Sequence, residues 1–144
     1  MPLPRVLLPA ALAAAFIAVT ASSCGGRRAH VAKTPRTGAP QTGIASWYGP
    51  PYHGRRAANG EIYDMERYTA AHRTFAFDTW VRVRNLDNGK EVDVRITDRG
   101  PFVRGRVIDL SKAAARQIDM LGPGDAKVKL KVIDARQAVT PRPA

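Results

Sequence analysis

The chain has 144 residues, with 23 Lys and Arg against 12 Asp and Glu, a formal charge of +11, and 44% hydrophobic residues. That length holds one domain at most. A single cysteine closes no internal disulfide and no Cys and His set stands at ligand spacing, so the fold must rest on its own core, and neither a metal nor a cofactor is expected.

Arg5 is followed by sixteen uncharged residues, Val6 to Ala21, and then by Ser22, Ser23 and Cys24. A membrane span needs roughly 20 apolar residues. This run is shorter, rich in alanine and interrupted by Pro9, so residues 1–23 read as a signal peptide. Cys24 lies directly after two small residues in a segment that resembles the bacterial lipobox, which makes it a lipid anchor; the alternative is a free thiol on a soluble exported protein. The resemblance implies a lipoprotein on the periplasmic face of the outer membrane, attached to the membrane through Cys24, with a soluble periplasmic or secreted protein as the alternative. Residues 24–40 carry Arg27, Arg28, Lys33 and Arg36, no acid and no apolar periodicity, and read as a disordered basic tether. Residues 134–144, with Pro141 and Pro143, are too poor in apolar side chains to pack and read as a disordered tail.

Residues 41–133 remain as the folded part. They hold 16 basic and 11 acidic residues, so much of the net charge belongs to the ends. With no recognition helix and no zinc finger in this stretch, nucleic acid is not an expected partner. Gly43 to Tyr48 is a first strand. Trp80 to Leu86 and Glu91 to Asp98 flank Asp87-Asn88-Gly89-Lys90, where Asn-Gly asks for a two-residue hairpin turn. That turn would set Val83 opposite Val94, Val81 opposite Ile96 and Arg84 opposite Asp93, at the expense of placing Arg82 against Arg95. Asp98 shares the parity of Val92, Val94 and Ile96, so its carboxylate is directed to the barrel or a cleft.

Ser111 can cap a helix over Lys112 to Met120, with Ala114, Ala115, Ile118 and Leu121 on its buried face and Gly122-Pro123 ending it. From Ala126 to Ile133, apolar residues alternate with Lys127, Lys129 and Lys131. The lysines read as edge protection on a solvated face, or as a contact for an anionic polymer. Several short strands, one small helix and frequent turn signals predict a mainly β protein, a small closed barrel with short helical insertions.

Three polar side chains in this framework could carry chemistry: Glu61, His72 and Asp98. Two carboxylates across a groove are what glycosidic bond cleavage needs, because the leaving oxygen must be protonated while positive charge grows on the sugar. The ordinary readings are a surface charge for Glu61, a packed histidine for His72, and a turn cap or Arg99 partner for Asp98. Trp47, Tyr48 and Tyr52 suit either stacking on sugar faces or packing.

The segment Thr42 to Ile133 resembles the rare lipoprotein A (RlpA-like) family. The motifs that carry the resemblance are Ala45-Ser46-Trp47-Tyr48-Gly49, Ala58-Asn59-Gly60-Glu61, Thr69-Ala70-Ala71-His72, Val81-Arg82-Val83, Asn88-Gly89, Asp98-Arg99-Gly100-Pro101-Phe102 and Ile108-Asp109-Leu110-Ser111. The resemblance implies a six-stranded double-psi β-barrel and an endolytic transglycosylase that cuts the MurNAc-GlcNAc bond of peptidoglycan without water, leaving 1,6-anhydro ends. The alternative is an expansin-like protein that binds glycan strands without cutting them. By motif position, Asp98 would protonate the leaving oxygen and Glu61 would stabilise the growing charge or share the proton work. His72 would hold or polarise one of these carboxylates. Trp47, Tyr48, Tyr52, Asn59 and Arg99 would bind the glycan strand, with arginines such as Arg55, Arg56 and Arg99 suited to its carboxylates. Ala57 and Thr97 depart from the family pattern, and Phe75-Ala76-Phe77-Asp78 replaces its usual turn; none of these removes a carboxylate.

Overall fold

The computed structural model describes residues 39–139. The expectations for the signal segment 1–23, Cys24, the tether up to residue 38 and residues 140–144 lie outside the described residues. Six strands run in chain order: β1 (Gln41–Tyr48), β2 (Thr69–Ala71), β3 (Trp80–Asn85), β4 (Glu91–Asp98), β5 (Arg106–Ser111) and β6 (Asp125–Ile133). One helix, α1 (Lys112–Gln117), separates β5 from β6, and a 3-10 turn (Ala135–Gln137) follows β6.

The strands close in the order β1-β5-β2-β4-β3-β6, so that β6 returns to pair with β1. The β1/β5 and β2/β4 pairs are parallel and the others antiparallel. This is the expected mainly β barrel, and closure removes every edge. The interior is filled by side chains of one parity, with Val81, Val83, Val94, Ile96, Ile108, Leu110, Val128 and Leu130 all buried. Ala114, Ala115, Ile118 and Met120 join the same core from α1 and the turn after it.

The hairpin between β3 and β4 departs from the two-residue turn. Val81 faces Val94, Arg82 faces Asp93 and Val83 faces Val92, two residues away from the expected register. A four-residue loop, Leu86 to Gly89, is closed by the Asn85 N–H donating to the Lys90 carbonyl at 2.9 Å. The cause lies in the asparagines. Asn85 and Asn88 both donate from Nδ2 to the carbonyl of Ile118, the residue that ends α1, each at 3.0 Å. Asn88 is thus committed to a helix end, and Gly89 alone takes a left-handed φ of 76°. The shift preserves side-chain parity, so the apolar face stays inside. It also dissolves the Arg82/Arg95 clash and gives Arg82 a two-pronged bond to Asp93, at 2.8 and 2.9 Å.

Helix α1 starts as expected, with the Ser111 hydroxyl accepting from the Ala114 N–H. It ends earlier, at Gln117, because Asp119 adopts a φ of 55° before Gly122-Pro123 is reached. Lys127, Lys129 and Lys131 are exposed as expected, but β6 is no edge, since it lies between β1 and β3. The lysines form the outer face of an interior strand. Residues 135–139 dock by polar contacts, with Val139 left exposed. Asp134 closes a capping box on the 3-10 turn, the Val139 N–H donates to Asp93 Oδ2 at 2.8 Å, and Arg82 reaches the Gln137 carbonyl at 3.1 Å.

Candidate active site

Asp98 closes β4, and the loop that follows it returns to the barrel through β5. A pocket of about 280 Å³ opens there, walled by Tyr48, Tyr52, Asp98, Arg99, Phe102 and Asp109. Asp98 is half-buried, and its Oδ1 accepts from the Ala58 N–H at 3.0 Å and from its own neighbour Arg99 N–H at 2.8 Å. Two backbone donors thereby fix the orientation of the carboxylate. The Ala58 donor comes from the Ala58-Asn59-Gly60-Glu61 loop, which docks on the end of β4 through the Asn59 N–H and the Thr97 carbonyl at 3.1 Å.

Sequence reasoning missed Asp109 as a site residue. On β5 it alternates with Ile108 and Leu110, which face the core, so it reads as an outward charge. The parallel pairing of β1 with β5 sets it opposite Ser46, whose hydroxyl donates to Asp109 Oδ1. Burial pushes the Asp109 carboxyl above the usual carboxylate range, and the charge of Asp98 adds to this, against the Ser46 hydrogen bond and the charge of Arg106. A carboxyl of that kind keeps its proton to higher pH than an ordinary aspartate. The Ile108-Asp109-Leu110-Ser111 motif was the available signal: a charge between two core residues, in a strand running into a buried helix cap.

Glu61 does not line the pocket. It is exposed, and Arg95 holds it with two bonds of 2.9 and 2.8 Å while also bonding Asp78. The Arg95 hydrogen bond outweighs desolvation and keeps the Glu61 carboxyl below the usual range. Glu61 is therefore ionised at neutral pH and has no proton to give. Asn59 shapes the turn, with Oδ1 accepting from the Glu61 N–H at 3.0 Å.

His72 is 3% exposed and stacked on Phe75 with ring centroids 3.7 Å apart. Its Nδ1 accepts from the N–H groups of Thr74 and Phe75, so the ring proton lies on Nε2, which donates to Gln41 at 3.2 Å. Burial, with Arg73 and Arg99 near, lowers its pKa to about 4. The imidazole is thus a neutral organiser of the 72–75 turn. Its link to the site runs through the backbone, where the His72 N–H donates to the Asp98 carbonyl at 3.2 Å.

The aromatic candidates divide. Trp47 packs against the core and is no part of the pocket wall. Tyr48 lines the pocket, stacks on Tyr63 at 4.3 Å and meets Tyr52 edge-on at 5.9 Å. Burial, with Tyr63, Asp98 and Asp109 near, pushes its phenol well above the usual range, so it remains a neutral hydroxyl. Tyr52 is half-exposed on the wall, with Arg55 over its ring. Arg99 lies on the wall, but its Nη1 is spent on the carbonyls of His72 and Phe75, and its guanidinium sits 3.9 Å over Phe77. Among the described residues no group of three or more His, Cys, Asp or Glu side chains could hold a metal ion.

Residues 40–130 match a double-psi β-barrel family model described as lytic transglycolase. The chain is similar to proteins named endolytic peptidoglycan transglycosylase RlpA: it is 56% identical over 91 residues to one from Campylobacter jejuni, covering 63% of this chain and 33% of that one. The corresponding protein from Vibrio cholerae is 48% identical over 118 residues, covering 82% of this chain and 44% of that one. For that from Pseudomonas aeruginosa the identity is 55% over 95 residues, covering 66% and 28%. The chain thus spans less than half the length of these curated relatives. Among solved structures, the Streptomyces papain inhibitor shares the fold at a TM-score of 0.56, with 23% identity over 68% of this chain and 97% of that one. An expansin from Clavibacter michiganensis does so at 0.55, with 19% identity over 67% and 52%.

Proposed function

Because this chain belongs to the RlpA-like family of double-psi β-barrel lytic transglycosylases, we propose that it cuts the MurNAc-GlcNAc bond of peptidoglycan glycan strands without water, with Asp109 as the acid. The observation that carries this assignment is the pair of aspartates on one open pocket, together with the burial and the Ser46 hydroxyl at Asp109, whose carboxyl is pushed above the usual range. Asp109 gives its proton to the glycosidic oxygen, and the bond from that oxygen to C1 of the muramic sugar breaks. Asp98, held by two backbone N–H groups, faces the positive charge that grows on the ring. The C6 hydroxyl oxygen of the same sugar then bonds to C1, and its proton passes to the Asp109 carboxylate, which restores the acid. One residue serves as acid and then as base, and no water is consumed.

This division of roles moves the proton work from Asp98 to Asp109. Glu61, ionised and locked to Arg95, braces the loop that supplies the Ala58 N–H. His72 orients the turn behind Asp98. Tyr48 and Tyr52 offer the pocket's sugar-facing rings. Residues 1–23 serve as the export signal and Cys24 as the lipid anchor that holds the protein at the outer membrane facing the periplasm, a reading supported by the uncharged run ending in small residues and the cysteine. Incorporation of labelled palmitate, abolished in Cys24→Ala, tests the anchor.

The activity is tested by incubating the purified full chain with isolated peptidoglycan and analysing the soluble fragments by mass spectrometry. Anhydro-ended fragments, lost in Asp109→Asn, are the expected result. Intact peptidoglycan that nevertheless pulls the protein down would replace the enzyme with a glycan-binding protein.

A further inference from the structure

Phe102 is the most exposed large apolar side chain among the described residues, at 82%. It stands on the wall of the pocket that holds Asp98 and Asp109. Phe75 and Phe77, by contrast, are covered by His72 and Arg99 respectively.

The loop that presents Phe102 is anchored on both sides. The preceding Pro101 is buried, the Arg99 N–H is bound to Asp98 Oδ1 at 2.8 Å, and the Arg106 N–H reaches the Val103 carbonyl at 3.2 Å. Gly100 sets the spacing. It has a φ of 132°, and a Cβ placed there would lie 3.7 Å from Asp109 Oδ2 and 3.8 Å from the Phe102 ring. The proton donor and the bare ring thus flank one point of the backbone that carries no side chain.

We propose that Phe102 is the platform of a pyranose subsite beside the bond that Asp109 protonates; this rests on the transglycosylase reading above. A pyranose ring carries C–H groups on its faces and hydroxyls on its rim, so an exposed phenyl takes the face while polar groups take the rim. Val103, 53% exposed, extends the apolar surface, and Tyr52, 51% exposed, adds a second ring to the same wall. The sugar held on Phe102 is positioned, and Phe102 takes no part in proton transfer.

The test compares full-length wild type, Phe102→Ala and Phe102→Tyr for release of anhydro-ended fragments as a function of glycan concentration. Because the side chain is exposed, melting temperatures should coincide. Phe102→Ala should raise KM about tenfold with kcat within about twofold, and Phe102→Tyr should restore KM to within about twofold of wild type. An unchanged KM in Phe102→Ala, with wild type active, overturns the subsite and leaves the reaction standing. Binding of purified glycan strands to Asp109→Asn, with and without Phe102→Ala, is measured in parallel. If wild type releases nothing, the transglycosylase reading falls, and the binding pair still decides: weaker binding on loss of the ring supports the platform, and equal binding overturns it.

Discussion

Asp93 on the β3/β4 wall and Asp109 on the β1/β5 wall are the same side chain given opposite environments. Asp93 is 4% exposed, and burial by itself would raise its pKa. The two-pronged bond from Arg82, the Val139 N–H and the Arg82 charge outweigh burial and hold the carboxyl below its usual range. Asp109 receives a hydroxyl from Ser46 and only the charge of Arg106 at a distance, so burial prevails and its pKa rises. A guanidinium placed opposite turns a buried acid into a brace, whereas a hydroxyl placed opposite leaves it able to hold and release a proton.

The sharpest way to break this contrast is Asp109→Asn. It should lower the rate of fragment release about a thousandfold, within the span of a lost general acid, and raise the melting temperature at neutral pH. The sign follows from the raised pKa: the folded state binds the proton more tightly than the unfolded one, so stability falls as pH rises through that window, and a neutral amide avoids the loss. A melting temperature that drops would show that the carboxylate is a brace after all. Arg82→Met comes next. It leaves Asp93 buried without its guanidinium and should cost about 3 kcal/mol in a urea titration, while the rate per folded molecule stays at the wild-type value.

Ser46→Ala sharpens the comparison from the other side. Its hydrogen bond lowers the Asp109 pKa, so its removal should move the alkaline limb of the pH-rate profile to higher pH and reduce kcat about tenfold through loss of orientation. A limb that stays in place would detach Ser46 from the acid. The last effect is on wild-type stability in acid. His72 is depressed to about 4 from 6.5, so its contribution is complete above pH 6.5 and is lost as pH falls from there towards 4, where the unfolded chain is protonated and the folded one is not. The melting temperature of His72→Gln should lack this component.

Where alternation alone decides, the sequence was a sufficient guide. Val81, Val83, Val94 and Ile96 go inside, the three lysines of β6 go outside, and Ser111 caps α1. The loop between β3 and β4 was less legible because the side chain of Asn88 is spent on the end of a helix thirty residues away, and no local turn rule contains that partner. A closed barrel was legible, but the position of β6 between β1 and β3 was not, for the same reason, and its lysines read as edge protection. The place of Asp98 on a cleft was legible because its parity follows its own strand. The environment of Asp109 was not legible because its partner Ser46 stands on another strand, and the position of Glu61 off the pocket wall was not legible because Arg95, which holds it, is also supplied from elsewhere in the chain.

The bonds that define the pocket join residues far apart along the chain: Ser46 and Asp109 are 63 positions apart, Ala58 and Asp98 are 40. With β1 inserted between β5 and β6, any cut between residues 46 and 109 parts Asp109 from the hydroxyl that orients it. A chain in which either of these stretches is still unpaired therefore has no complete pocket. Long-range closure of this kind is slow relative to local folding, which places the assembly of the pocket late in the formation of the barrel.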